Sequence, residues 1–334
     1  FIGEGMRVDT KSVDGLRGLA ALHVATGHFF LFSRGPTAGT DFIGGASMGL
    51  FFIISGFIMV LGYGQKKYSN NGGMICDCCC LCCDSMKCCT PSQPCDSDEV
   101  ESGVPFPVKK FLMKRFSRLA PMYYISSVIA IPLWVYPTFH IVGFILIGIL
   151  SIPFLTSWVF LAPYNGVLWT ISTMMFFYLC FPCLAPRLQK MHLVEDFRSL
   201  AWKMYWLQLL VFAVVMVTIG SENPLGAYFL WRLFPPNRIP VFVMGCCLGY
   251  MRVKGDLLPG TSRTSSHPSP FFFAPGDTVS PAGVFALIVS IGTILSGLDY
   301  KTAALAIRIL AEPVLPILYF DWILALTLPK PVGE

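Results

Sequence analysis

The sequence predicts an all-α integral membrane protein, a polytopic bundle of about 9–10 transmembrane helices. Three observations lead there. Hydrophobic residues make up 54% of the 334 and charged residues only 13%, against roughly 25% charged in soluble domains. Mean hydropathy is +0.65, more apolar surface than a soluble fold of this length can bury, whereas a bilayer acts as its solvent. Finally, apolar runs near the ~20 residues of a membrane crossing recur along the whole chain. The 28 Phe and 7 Trp suit lipid-facing and interfacial positions. The net charge of +5 is small and dispersed, which argues against nucleic acid or an acidic substrate as partner and leaves the lipid bilayer as the first one.

Taken in order, the candidate spans are Val13–Phe32, Phe42–Tyr63, Leu119–Tyr136, Ile141–Val159, Val167–Leu184, Ala201–Ile219, Ile239–Met251, Ala282–Leu298 and Ala303–Leu328. The first carries Asp14, Arg17, His23 and His28, which makes it a poor signal-peptide core. Ile239–Met251 is short and needs residues from Leu230 onward, or a tilt. Arg308, Glu312, Pro313, Pro316 and Asp321 interrupt Ala303–Leu328, which reads either as two half-helices or as part of a truncated last pair. We read residues 1–334 as one transmembrane domain, truncated at both ends, because it opens on Phe1 and closes on a polar tail. Residues 64–108 read as a disordered insert, and 252–281, rich in Ser, Pro and Gly, as a second polar loop.

Basic residues set the orientation. Arg7 and Lys11 precede the first span, and Lys66, Lys67, Lys109, Lys110, Lys114 and Arg115 lie between the second and third, with only Arg34 between the first two. A multi-pass protein with a cytosolic N-terminus follows. One conflict arises further on. If Ile141–Val159 crosses fully, Arg187, Lys190 and Arg198 face outward; either that segment is re-entrant or the rule fails locally.

Nine of the thirteen cysteines crowd into Cys76–Cys95. Neighbouring cysteines bridge each other poorly, and the paired two-residue spacing of a zinc site is missing, so no metal is assigned. S-acylation is the competing use, beside a compositionally biased insert.

Arg17 and His28 are eleven residues apart, close to three helical turns, so they share a face ~16 Å apart along the axis. Asp14 lies one turn before Arg17. An arginine within a span costs ~2.5–3.5 kcal/mol on insertion scales, which points to a polar cavity; the alternative is Arg17 snorkelling toward headgroups and pairing with Asp14. Gly15, Gly18, Ala20, Ala21, Ala25 and Gly27 thin this helix for close approach.

Asp14-Gly15-Leu16-Arg17-Gly18-Leu19-Ala20-Ala21-Leu22 ending in His28 resembles the opening helix of the membrane acyltransferase-3 family, polytopic O-acyltransferases that include bacterial glycan O-acetyltransferases and nose-resistant-to-fluoxetine-like proteins. Further blocks resemble that family in order: Phe51–Ile58 containing Ser55, Lys114–Tyr123 containing Arg115 and Arg118, Trp169–Ser172, and a fainter one at Arg238–Gly245. The resemblance spans about residues 12–250. It implies transfer of an acyl group, acetyl above all, from acyl-coenzyme A as co-substrate to a hydroxyl of a carbohydrate or lipid-linked acceptor, with no permanently bound cofactor. It implies His28 as base or acyl carrier and Arg17 as orienter of the thioester or stabiliser of the oxyanion. Arg115 and Arg118, with Lys109, Lys110 and Lys114, would meet coenzyme A phosphates. Ser55, Tyr123, Trp169 and Ser172 would line the cavity. One departure stands out: where the family carries a Glu five residues after the Trp, this chain has Met174. That departure opens a catalytically inactive relative as an alternative, beside a transporter that uses the same polar path.

Overall fold

The computed structural model describes residues 13–18, 20–22, 24–25, 38–64, 68–69, 104–130, 168–191, 193–222, 224–255 and 300–327. His28, Ile141–Val159, Ala282–Leu298 and the Cys76–Cys95 cluster lie outside them. The described residues are helical apart from one two-residue parallel pairing, Tyr68–Ser69 with Val104–Pro105. After the helical residues 13–18, 20–22 and 24–25 come α1 (Ala38–Tyr63), α2 (Val108–Ala130), α3 (Leu168–Gln189), α4 (Val194–Thr218) and the short α5 (Pro224–Leu233). A 3-10 turn, Pro235–Arg238, leads into α6 (Ile239–Gly255), and α7 is Tyr300–Thr327. Two stretches, Trp169–Gln189 and Val194–Thr218, are long and apolar enough to cross a membrane, and Ser47–Tyr63 is a shorter apolar one.

Glycines decide the closest helix packing. A Cβ at Gly245 would run into the Ile53 carbonyl, one at Gly56 into the Phe242 carbonyl, and one at Gly249 would stand 2.7 Å from the Val60 Cβ. In lipid, where apolar side chains gain nothing by leaving their solvent, such backbone approach is what holds helices together. So α1 and α6 form the tight pair. Among the described residues nothing lies within 4 Å of a Cβ on Gly15 or Gly18, while Val13, Leu16 and Ala20 of the same helix are buried.

The ends of the helices sort by charge. Gln189, closing α3, donates through Nε2 to the Gly64 carbonyl at 3.2 Å, just past α1. Lys254, in the last turn of α6, donates to the carbonyls of Met191 and, at 3.4 Å, Gln189, and sits over Phe197 at the start of α4. Burial pulls the Lys254 ammonium below its usual range, against the opposing pull of Asp196. Phe106 and Phe111, flanking the start of α2, pack on Phe181 and Tyr63. The end of α1, the start of α2, the end of α3, the start of α4 and the end of α6 therefore gather on one side, hereafter the basic end, with Lys109, Lys110, Arg187, Lys190, Arg198 and Lys254. This removes the conflict raised by the basic residues after Val159, because Arg187, Lys190 and Arg198 share the side of Lys109 and Lys110.

Two expectations about single helices change. The short Ile239–Met251 run is not lengthened backwards as one helix; α5 and the 3-10 turn precede α6 as separate pieces. Likewise α7 is one helix with Pro313 and Pro316 inside it rather than two halves. Prolines disturb the backbone ladder, and within that stretch Gln208 of α4 donates to the Pro313 carbonyl at 2.7 Å, tying α4 to α7.

Candidate functional site

Two polar clusters interrupt the apolar interior, and α3 connects them. Tyr178 and Trp169 are nine residues apart on that helix, ~13 Å along its axis.

The first cluster lies toward the basic end, around Tyr178. Arg115 places its guanidinium 5.5 Å from the Tyr178 ring centroid and 5.6 Å from those of Tyr63 and Phe111. Phe111 in turn meets Tyr63 edge-on at 5.0 Å and stacks with Phe181 at 5.6 Å. The ring faces carry negative potential, so this box holds a cation without a carboxylate. The Arg115 Nε is buried with no hydrogen-bond partner among the described residues. Ser55 of α1 meets the Tyr178 hydroxyl, and Arg118 and Arg17 stand within electrostatic reach of it. Four residues singled out from the sequence, Arg17, Ser55, Arg115 and Arg118, are thus brought together. Arg17 is also partly exposed, 3.5 Å from Asp14, so the pairing and the approach to the interior coexist. Lys109 and Lys110 border an open concavity with Pro107, Val108 and Met113 on the same side.

The second cluster lies at the opposite end, where α5, the 3-10 turn and α7 meet. Glu312 is buried and accepts from Arg238 on one oxygen and from the Tyr228 hydroxyl on the other. Arg232 reaches the Arg238-bound oxygen at 3.6 Å through Nε and donates to the Tyr228 hydroxyl at 3.3 Å. Its guanidinium lies 5.2 Å from the Trp169 ring centroid. Arg238 is fixed on every side: Nε donates to the Arg232 carbonyl at 3.2 Å, and the guanidinium lies 3.8 Å over Trp231. Both oxygens of this carboxylate are thus engaged, one by guanidiniums and the other by a phenol.

Trp169 thus belongs to the second cluster and not to the first. Ser172 is fully buried on α3, and Tyr123 is buried on α2 against Tyr124. His28 lies outside the described residues. Sequence reading passed over Tyr178 as a site residue and passed over Arg232 and Tyr228 altogether. The available signal was a charged residue inside an apolar run, which marks Arg232, Arg238 and Glu312 alike. Among the described residues no three His, Cys, Asp or Glu side chains gather as for a metal. Met174 is partly buried against the apolar core.

No curated protein and no solved structure matches the chain. A family model does: the acyltransferase domain Acyl_transf_3, over residues 10–330. With nearly its whole length matched, the chain belongs to the membrane acyltransferase-3 family and is an acyltransferase.

Proposed function

We propose that this acyltransferase is a multi-pass O-acyltransferase that takes an acyl group, acetyl above all, from acyl-coenzyme A at the basic end and delivers it to a hydroxyl of a carbohydrate acceptor. The observation that carries the reading is the convergence of Arg17, Arg115, Arg118 and Ser55 on Tyr178. Arg115, boxed by aromatic rings, and Arg118 beside it make a receptor for phosphate, with Arg17, paired with Asp14, at its edge. Coenzyme A brings phosphates, and the basic end, by the charge rule, faces the cytosol together with the N-terminus.

In this reading α2 leaves the basic side and α3 returns to it. His28, eleven residues beyond Arg17, takes the acceptor proton or carries the acyl group. Arg17 orients the thioester carbonyl as its oxygen gains charge.

Labelled acetyl-coenzyme A offered to membranes tests this. Label should reach a carbohydrate fraction with the native chain and fail to do so with His28→Ala. Equal transfer by both forms would defeat the assignment. A second reading, an inactive relative, draws on Met174 at the position of the family's carboxylate; under it, native and His28→Ala membranes are equally silent.

A further inference from the structure

We infer that the start of α2 is a seat for an anionic phospholipid, with the lipid phosphate on Lys109 and Lys110 and an acyl chain along Met113 and Phe116. This stands apart from the acyl-transfer reading and assigns the two lysines to lipid rather than to the donor.

The charge of α2 is one-sided. Val108–Ala130 holds Lys109, Lys110, Lys114, Arg115 and Arg118 and no acidic residue. Lys109 and Lys110 are exposed, and among the described residues no hydrogen bond or ion pair engages their ammonium groups. Both stand in the first turn, where the positive end of the helix dipole repels cations, and no acid is there to offset it. An anion from outside the chain relieves that repulsion.

What surrounds the two lysines selects the kind of anion. With Pro107, Val108 and Met113 they border an open concavity whose floor is apolar. Met113 is 59% exposed and Phe116 36%. Lys109, Met113 and Phe116 follow at steps of four and three residues, so they share one face of the helix. That face carries a cation at its outer end and apolar side chains running inward from it. An inorganic anion or an acidic peptide would meet the lysines and leave the apolar run bare. A zwitterionic lipid would cover the run but bring its own ammonium against the lysines. A phospholipid whose only charge is its phosphate satisfies both. The depth also fits, since α1 and α3 end on the same side, where headgroups stand and lysines reach them along their apolar stems. Phe111 and Arg115 face the other way, onto Tyr63, Phe181 and Tyr178, so lipid and donor do not compete. The chain itself offers one rival for the lysines, the acidic run Asp96, Asp98, Glu99 and Glu101, which lies outside the described residues.

In the test, the full chain is exchanged into detergent micelles holding equal amounts of phosphatidylglycerol and phosphatidylcholine. Lipid retained through washing is then counted by mass spectrometry of the intact protein. Each lysine at an anionic headgroup is worth about fivefold in affinity. Phosphatidylglycerol should therefore be retained about tenfold or more over phosphatidylcholine, and Lys109→Gln combined with Lys110→Gln should remove that preference. Arg187→Gln combined with Lys190→Gln, an equal charge loss at the same end, should leave it within about twofold of native. Met113→Gln should lower retention of phosphatidylglycerol, and soluble glycerol phosphate should not displace it. Both double variants alter exposed side chains, and a monodisperse elution peak shows that each folds. The inference is overturned by equal retention of the two lipids, by equal loss in the two double variants, or by displacement with glycerol phosphate. It is also overturned by retention that appears only once Asp96, Asp98, Glu99 and Glu101 are changed to their amides. The assay contains no acyl-coenzyme A, so its failure leaves the acetyl-transfer measurement standing, and the reverse also holds.

Discussion

Arg115 and Arg238 solve the same problem in opposite ways. Each is a guanidinium inside an apolar helical bundle. Arg238 is locked by Glu312, a backbone carbonyl and Trp231, whereas Arg115 has ring faces on three sides and an Nε with no hydrogen-bond partner among the described residues. The difference separates an arginine that builds the fold from one that awaits a ligand. A buried ion pair adds little net stability when intact, but breaking it strands a charge. An arginine boxed by aromatics keeps its charge available and its neighbours stable when it is removed.

The largest effect should therefore fall on the structural side. Glu312→Gln leaves two guanidiniums facing a neutral amide, and the loss should be about 3–5 kcal/mol, read as a collapse in monodisperse protein and in unfolding midpoint. Changing Arg238 to Gln in the same chain should restore part of it; no restoration would deny that the two act as a pair. Next comes Gly245→Val, which drives a side chain into the Ile53 carbonyl and should cost about 1–3 kcal/mol or more, checked by the same unfolding measurement. Arg115→Gln should then reverse the pattern: the unfolding midpoint stays near the native value while the KM for acyl-coenzyme A rises about tenfold or more. An unfolded Arg115→Gln chain would erase the distinction drawn here. Smallest is Gln208→Leu, which removes the hydrogen bond from α4 to the Pro313 carbonyl and should cost about 1 kcal/mol without changing KM.

How legible all this was depends on the distance between partners in sequence. The end of α1 at Tyr63 and the start of α6 at Ile239 could be read directly, because apolar runs stop where the chain turns polar. The start of α2 could not: Lys109, Lys110, Lys114 and Arg115 make its first two turns look like a loop, yet they are helical because Phe111 packs on Phe181 and Arg115 on Tyr178. The tie from Gln208 to the Pro313 carbonyl of α7 joins residues more than a hundred apart, and nothing local to α7 foretells it. The Arg17, Ser55, Arg115 and Arg118 grouping was accessible because each sits in a block resembling the family. The Glu312 network was not, since Arg238 and Glu312 are 74 residues apart and nothing local to either names the other.

The central claim is that the Arg115 box receives the acyl donor. Equilibrium binding of labelled acetyl-coenzyme A to the purified chain tests it most directly, with Arg115→Gln set beside Lys190→Gln, an equal charge loss at the same end. The account predicts that Arg115→Gln weakens binding at least tenfold while Lys190→Gln stays within about twofold of native. Equal weakening by both, or none by Arg115→Gln, would contradict it.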